Sequence, residues 1–246
     1  MANDPPVIAA NLIQGPLHGD WLIHPVISQA EQAERVGGVL WPSNNHGVPF
    51  SIENLDPLEA IDHATEATLT ALALLPNLPE AHWLAVPVHP RALGSARSWW
   101  RKLSNQIADL SACREECGRR LVLIVIQAEG IEQMDSALLR NLAEMHTVAL
   151  ALDQPSPAAL RTALSWPIAR LFLGAANCIG IDTDRVLQQQ WLFLSRAASG
   201  LNLPMTVMGV ETISELAWLR RQGAKEVNGS VLANPVAISS FAAHSS

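Results

Sequence analysis

Short runs of Val, Leu and Ile alternate along the chain with longer stretches whose apolar residues recur at helical spacing. Runs of this length, apolar at nearly every position, are what strands buried on both faces require. They place strands at Val7–Ile13, Trp21–Ile27, Gly38–Trp41, Trp83–Val88, Leu121–Gln127, Thr147–Leu152, Arg170–Leu173, Met205–Met208 and Glu226–Asn228. Helices are predicted at Pro57–Leu75, Ser95–Cys117, Asp135–Met145, Ser156–Ser165, Asp182–Ser199 and Ile213–Gln222. Asp56 is positioned to cap the first of these, and Gly118 and Gly223 stand where the second and the last should end. Strand and helix in repeated alternation predict a parallel sheet with crossover helices. The 246 residues carry no linker and no repeat, so the α/β pattern fits one TIM-like barrel over 1–246, with 1–20 and 242–246 peripheral. A barrel of this kind needs about 250 residues. An open, doubly wound sheet is the architectural alternative, because alternation does not show closure.

Composition narrows the function classes. Only 16% of residues are charged and 49% are hydrophobic. A surface built from so few charges leaves apolar area open to a partner or to a second copy. The formal net charge of −7 argues against a nucleic-acid footprint. No apolar run has the roughly 18 residues of a membrane span, and the first residues lack the basic start of a signal peptide. Cys113, Cys117 and Cys178 make no disulfide framework, so a reducing cytoplasm is expected. Trp99 and Trp100 are adjacent on the predicted helix Ser95–Cys117, and such neighbours point about 100° apart. One of them is a candidate interface anchor.

Residues 207–235, VMGVETISELAWLRRQGAKEVNGSVLANP, carry the most specific pattern in the chain. The frame Gly209-Val210-Glu211-Thr212, followed by Leu219, Gly223, Gly229 and Pro235, resembles the closing signature of EAL domains, the bacterial cyclic di-GMP phosphodiesterases. The resemblance is clearest over 80–235 and implies an EAL-type (β/α)8 barrel. In α/β barrels chemistry sits at the C-terminal strand ends. Two-metal phosphodiester hydrolysis needs several carboxylates converging there, because hard cations take oxygen ligands.

Set against the family pattern, the strand ends are mostly substituted. Pro87 stands at the Asn ligand position, and His89 follows at a Ser position. Ile124 and Gln127 replace two acids. Asp153 survives while Gln154 replaces the acid beside it. Phe172 replaces a Lys, Met208 an acid and Asn228 a Gln. Asp153, Glu211 and Asn228 are therefore the remnants of the family site, with Glu211 either a nucleotide contact or a loop anchor. His24 occupies a Gln position in the loosely matching first strand, where no Glu-Ala-Leu motif and no Arg occur.

The expectations from sequence follow from these substitutions. The chain should be no enzyme and need no cofactor or metal. It should act as a regulatory protein through a protein partner in cyclic di-GMP, motility or biofilm control, with homodimerisation left open. A cyclic di-GMP receptor without turnover is the alternative, and a residual phosphodiesterase the third reading. The missing strand-one Arg counts against nucleotide binding, as does the loop after Gln154, where the family's Gly-rich stretch is shortened and carries Pro155, Ser156 and Pro157.

Overall fold

The computed structural model describes residues 21–30, 33–43, 52, 55–94, 117–126, 136–153 and 165–243. Strand β1 (Trp21–Ser28) turns back antiparallel onto β2 (Arg35–Pro42). Helix α1 (Pro57–Leu74) follows and leads to β3 (Trp83–Val88). Then come the short α2 (Pro90–Gly94), β4 (Leu121–Val125), α3 (Ser136–Met145), β5 (Thr147–Leu152) and β6 (Arg170–Leu173). Helix α4 (Arg185–Gly200), β7 (Met205–Val207), α5 (Ile213–Arg221) and β8 (Glu226–Val227) continue the order. The described chain ends with β9 (Val236–Ala237) and α6 (Ile238–Ala243).

Strands β2 to β8 pair in chain order, and β8 and β2 both pair with β1, which closes an eight-stranded barrel. The barrel expected from sequence is present. One expectation about it is corrected: β1 runs antiparallel to both neighbours, whereas β2 to β8 are mutually parallel. A run of apolar residues carries no direction. The short connection from Ser28 to Arg35 decides it, since a parallel return needs a crossover of a dozen residues or more. Strand β9, which pairs with Leu22 and Ile23 on the edge of β1 that β8 meets at Ile27 and Ser28, was not anticipated.

The helices form for local reasons that were legible. Asp56 caps α1 by accepting from the N–H groups of Leu58 and Glu59, and Glu59 returns a bond to the Asp56 N–H. Together they satisfy orphan donors at the helix start. Asp184 does the same for α4 through Val186 and Leu187. Gly223 follows α5 at φ +84, where a Cβ would be strained.

The barrel interior is filled in layers. At the N-terminal end, Arg170 lies over the Trp83 ring at 4.5 Å and pairs with Glu226. Thr206 joins them, accepting from Arg170 at 3.0 Å and donating to Glu226 at 2.7 Å. Above this polar plug, Val26, Val39, Ala85, Val122, Ile124, Ala149 and Phe172 pack as one apolar cluster with Trp83. Phe172 meets Trp83 edge-on, centroids 6.0 Å apart. A separate, larger apolar cluster packs the outward strand faces against the helices. The predicted strand Val7–Ile13 and nearly all of the helices Ser95–Cys117 and Ser156–Ser165 lie outside the described residues, as do Trp99, Trp100, Gln127 and Gln154.

Candidate functional site

Inward positions at the C-terminal strand ends converge on one cavity of about 310 Å³ at the barrel mouth. Its base is Ile124 and Phe172. Its walls include Val39, Trp41, Pro87 and Met208, and its polar members are His24, Asp153 and Asn228. All of the described strand-end positions singled out in the sequence therefore meet there, with two exceptions. His89 is fully buried outside the cavity and accepts the Arg91 N–H on its Nδ1 at 3.0 Å, which starts α2. Glu211 is exposed and contributes only its backbone N–H to a carboxylate elsewhere.

Pro87 shows how the strands shape this end. The β2–β3 ladder stops at Val39 opposite Ala85, two residues before Pro87, so the missing proline N–H interrupts no bond to β2. The β3–β4 ladder continues past it to Val88. Asn228 has a structural duty. The β8–β1 pairing covers only two residue pairs. Beyond it, Asn228 Nδ2 donates to the Pro25 carbonyl at 2.8 Å and carries the seam onward. Its backbone also receives the Val210 N–H at 3.0 Å and donates to Val207 at 2.7 Å.

Asp153 rests against Gly174. A Cβ built at Gly174 would lie 1.9 Å from Asp153 Oδ1. The backbone there, φ −66 and ψ 158, suits any residue. The glycine is thus a matter of space, and Gly174→Ala is expected to displace the Asp153 carboxylate at a cost of about 1–3 kcal/mol. Urea unfolding compared with wild type reads that cost. Gly209 differs: its φ of +72 is left-handed, and a Cβ would lie 2.4 Å from that of Ala175.

Two residues that sequence reasoning did not single out hold the mouth loops. Asn177 Nδ2 donates to the carbonyls of Leu152 at 3.0 Å and Asp153 at 2.9 Å, stapling the end of β5 to the turn after β6. Glu215, 3% exposed, accepts from the Gly180 N–H at 2.7 Å, from Glu211 at 3.0 Å and from Thr212 at 2.9 Å. It ties the loop after β6 to the loop after β7. Burial pushes its carboxyl up, but these N–H donors and the Thr212 hydroxyl outweigh burial and hold it below the usual range. The neighbouring Cys178 thiol is pushed up to about 12, by burial first and by the Glu215 charge second. It stays a thiol at neutral pH.

Among the described residues, the mouth offers a hard divalent ion one carboxylate, Asp153, and the Asn228 amide. Among the described residues no group of three or more His, Cys, Asp or Glu is placed to hold a metal. At the mouth, Ile124, Phe172, Pro87 and Met208 present no oxygen to a cation that takes six or more. The described cavity residues also include no Lys or Arg.

No model of a protein family and no curated protein sequence matches this chain. Solved structures do. The Bd1971 EAL enzyme in its cAMP-bound form is similar at TM-score 0.74 and 13% identity, over 92% of this chain and 64% of that one. This chain therefore spans under two thirds of that protein. A standalone EAL protein from Vibrio cholerae O395, bound to c-di-GMP, is similar at TM-score 0.70 and 18% identity, over 89% and 92%. The PaMucR phosphodiesterase in complex with c-di-GMP is similar at 0.71 and 16%, over 90% and 93%.

The fold is that of EAL domains. This finding overturns the expectation that the chain is no enzyme. The solved barrels with its fold are described as an EAL enzyme and a phosphodiesterase. That expectation weighed substitutions one position at a time, whereas the folded EAL-type barrel brings Asp153, Asn228 and His24 together at its mouth. No described helix is long and apolar enough to cross a membrane.

Proposed function

We propose that this chain is a regulatory EAL-type domain of cyclic di-GMP signalling, occupying 1–246, that acts in the cytoplasm through a protein partner in motility or biofilm control. The observation that carries the reading is a set of exposed apolar side chains beside the mouth loops. Ile179 is 53% exposed, Val186 63% and Ile213 77%. Glu215 joins the turn bearing Ile179 to the first turn of α5 bearing Ile213, and Val186 stands in the first turn of α4. Phe193, two turns further along α4, lies on the same helix face as Val186. Trp99 and Trp100 are proposed as further anchors, aromatic residues being enriched at binding hot spots. The test is retention of partners by the purified protein and by an Ile179→Ser, Ile213→Ser variant of equal stability. The variant is expected to lose the specific partner. If every partner recovered by the wild type stays bound to it and to Trp100→Ala, the reading fails. A change of oligomeric state in the same variant would identify the partner as a second copy.

A second reading is a cyclic di-GMP site at the mouth. It is favoured by the c-di-GMP complexes of similar barrels and by a cavity at the strand ends. The lack of Lys and Arg among the described cavity residues weighs against it, since phosphates are gripped by such groups. Titration calorimetry with and without Mg²⁺, with turnover followed on the same samples, decides between binding, hydrolysis and neither.

A further inference from the structure

We propose that the barrel mouth binds a small, uncharged, largely apolar molecule of one or two rings, seated on Ile124 and Phe172 with a hydrogen-bonding atom on His24. The cavity of about 310 Å³ lies at the small end of ligand sites, which run from about 300 to 1,000 Å³. It has about twice the volume of an apolar cavity of about 150 Å³ that takes benzene. Size alone therefore points to one or two rings.

The lining sets the chemistry. Ile124 is 3% exposed and Phe172 2%, and both belong to the interior cluster, so the base of the site is fixed by barrel packing. Trp41 and Met208 pack against that same cluster and form the sides. An apolar ligand gains from burying its surface there in proportion to area. An anionic ligand gains nothing to offset its desolvation, because the described lining offers it no cation.

His24 supplies the polar handle. It lies on β1 opposite Val39, and its Nε2 has no hydrogen-bond partner among the described residues. Burial lowers its pKa, so the ring is neutral near pH 7 and offers one donor and one acceptor nitrogen. The Nε2 atom is closed to water as the ring stands, so the ring must turn toward the cavity before a ligand's hydroxyl or carbonyl can reach it and remove the cost of the missing bond. Asn228 Nδ2 is engaged by Pro25, which leaves His24 as the more available group.

The test is calorimetric titration of the full chain with 2-naphthol, 2-methylnaphthalene and naphthalene-2-carboxylate. 2-Naphthol is expected to bind one to one, with the carboxylate weaker by about tenfold or more. Ala151→Leu fills the cavity from β5 and should weaken 2-naphthol by about tenfold, and Met208→Glu by a similar factor. His24→Phe should erase the advantage of 2-naphthol over 2-methylnaphthalene. Urea midpoints confirm that each variant is folded. Equal or tighter binding of the carboxylate, displacement of naphthol by cyclic di-GMP, or indifference to both Ala151→Leu and Met208→Glu overturns the proposal. The titration does not involve the partner surface, so this inference and the partner reading fail separately.

Discussion

Replacing Phe172 by alanine is expected to lower stability by about 3–5 kcal/mol, the usual range for an aromatic residue lost from a core. The side chain is 2% exposed and sits at the centre of the barrel interior. Its loss removes the edge-on contact with Trp83 and leaves Ile124 and Ala149 facing a void. The neighbours cannot collapse into it, because each is fixed in a paired strand: Ile124 lies between Pro87 and Ala149, and Ala149 between Ile124 and Arg170. Phe172→Leu should cost far less, about 1–2 kcal/mol, as most of the volume is kept. Phe172→Lys, which restores the residue type that the EAL pattern has here, places an ammonium among apolar side chains and should cost at least as much as alanine. Urea unfolding of the three variants gives the order. Should alanine prove as mild as leucine, Phe172 would contribute to the floor of the mouth without supporting the core.

The sequence reading and the structure agree where the physics is local or periodic. Strands such as Trp83–Val88 and Thr147–Leu152 are buried along nearly their whole length, so composition alone marks them. Strand direction is another matter. His24, Pro25 and Gly38 sit in a β1–β2 hairpin whose antiparallel sense depends on the connection and not on the apolar run. Strand β9 was not legible because its two residues only prolong the β8 side of β1.

At the mouth, Asp153, Phe172, Met208 and Asn228 line one cavity, since inward positions repeat every second residue. That rule did not assign their duties. Asn228 looks like a ligand in sequence, yet its amide closes the barrel seam. Glu211 drew attention because it belongs to the recognised frame, while the carboxylate that anchors the loop is Glu215. A signal for Glu215 was present: Thr212-x-x-Glu215 has the spacing of a capping box, and both of its bonds are formed. Asn177 had no such signal, because its three acceptors come together only in the folded barrel.

Glu215→Ala is expected to cost about 3 kcal/mol at neutral pH and to loosen the mouth. Three backbone N–H groups, from Gly180, Glu211 and Thr212, lose their acceptor. Leaving a buried donor unsatisfied costs about 1–3 kcal/mol; these three are part-buried and share one carboxylate, so the sum is less than three separate losses. The pH dependence has a definite sign. The folded carboxyl titrates below its unfolded value of about 4.3, so its stabilisation is fully present above that pH and is lost as pH falls through the folded pKa. The gap between wild type and Glu215→Ala should therefore be constant from neutral pH down to about 5 and shrink below about 4. Glu215→Gln keeps one acceptor oxygen but turns an NH₂ toward the remaining N–H groups, so it should fall between the two and lose the acid-dependent part. Denaturation curves at a series of pH values read all three. The carboxylate ties Gly180 to Glu211, and the two loops so joined also carry the cavity-lining pairs Gly174–Ala175 and Met208–Gly209. Ligand affinity at the mouth should accordingly weaken in Glu215→Ala even where the protein is fully folded, and unchanged affinity would show that the two turns hold their places without it.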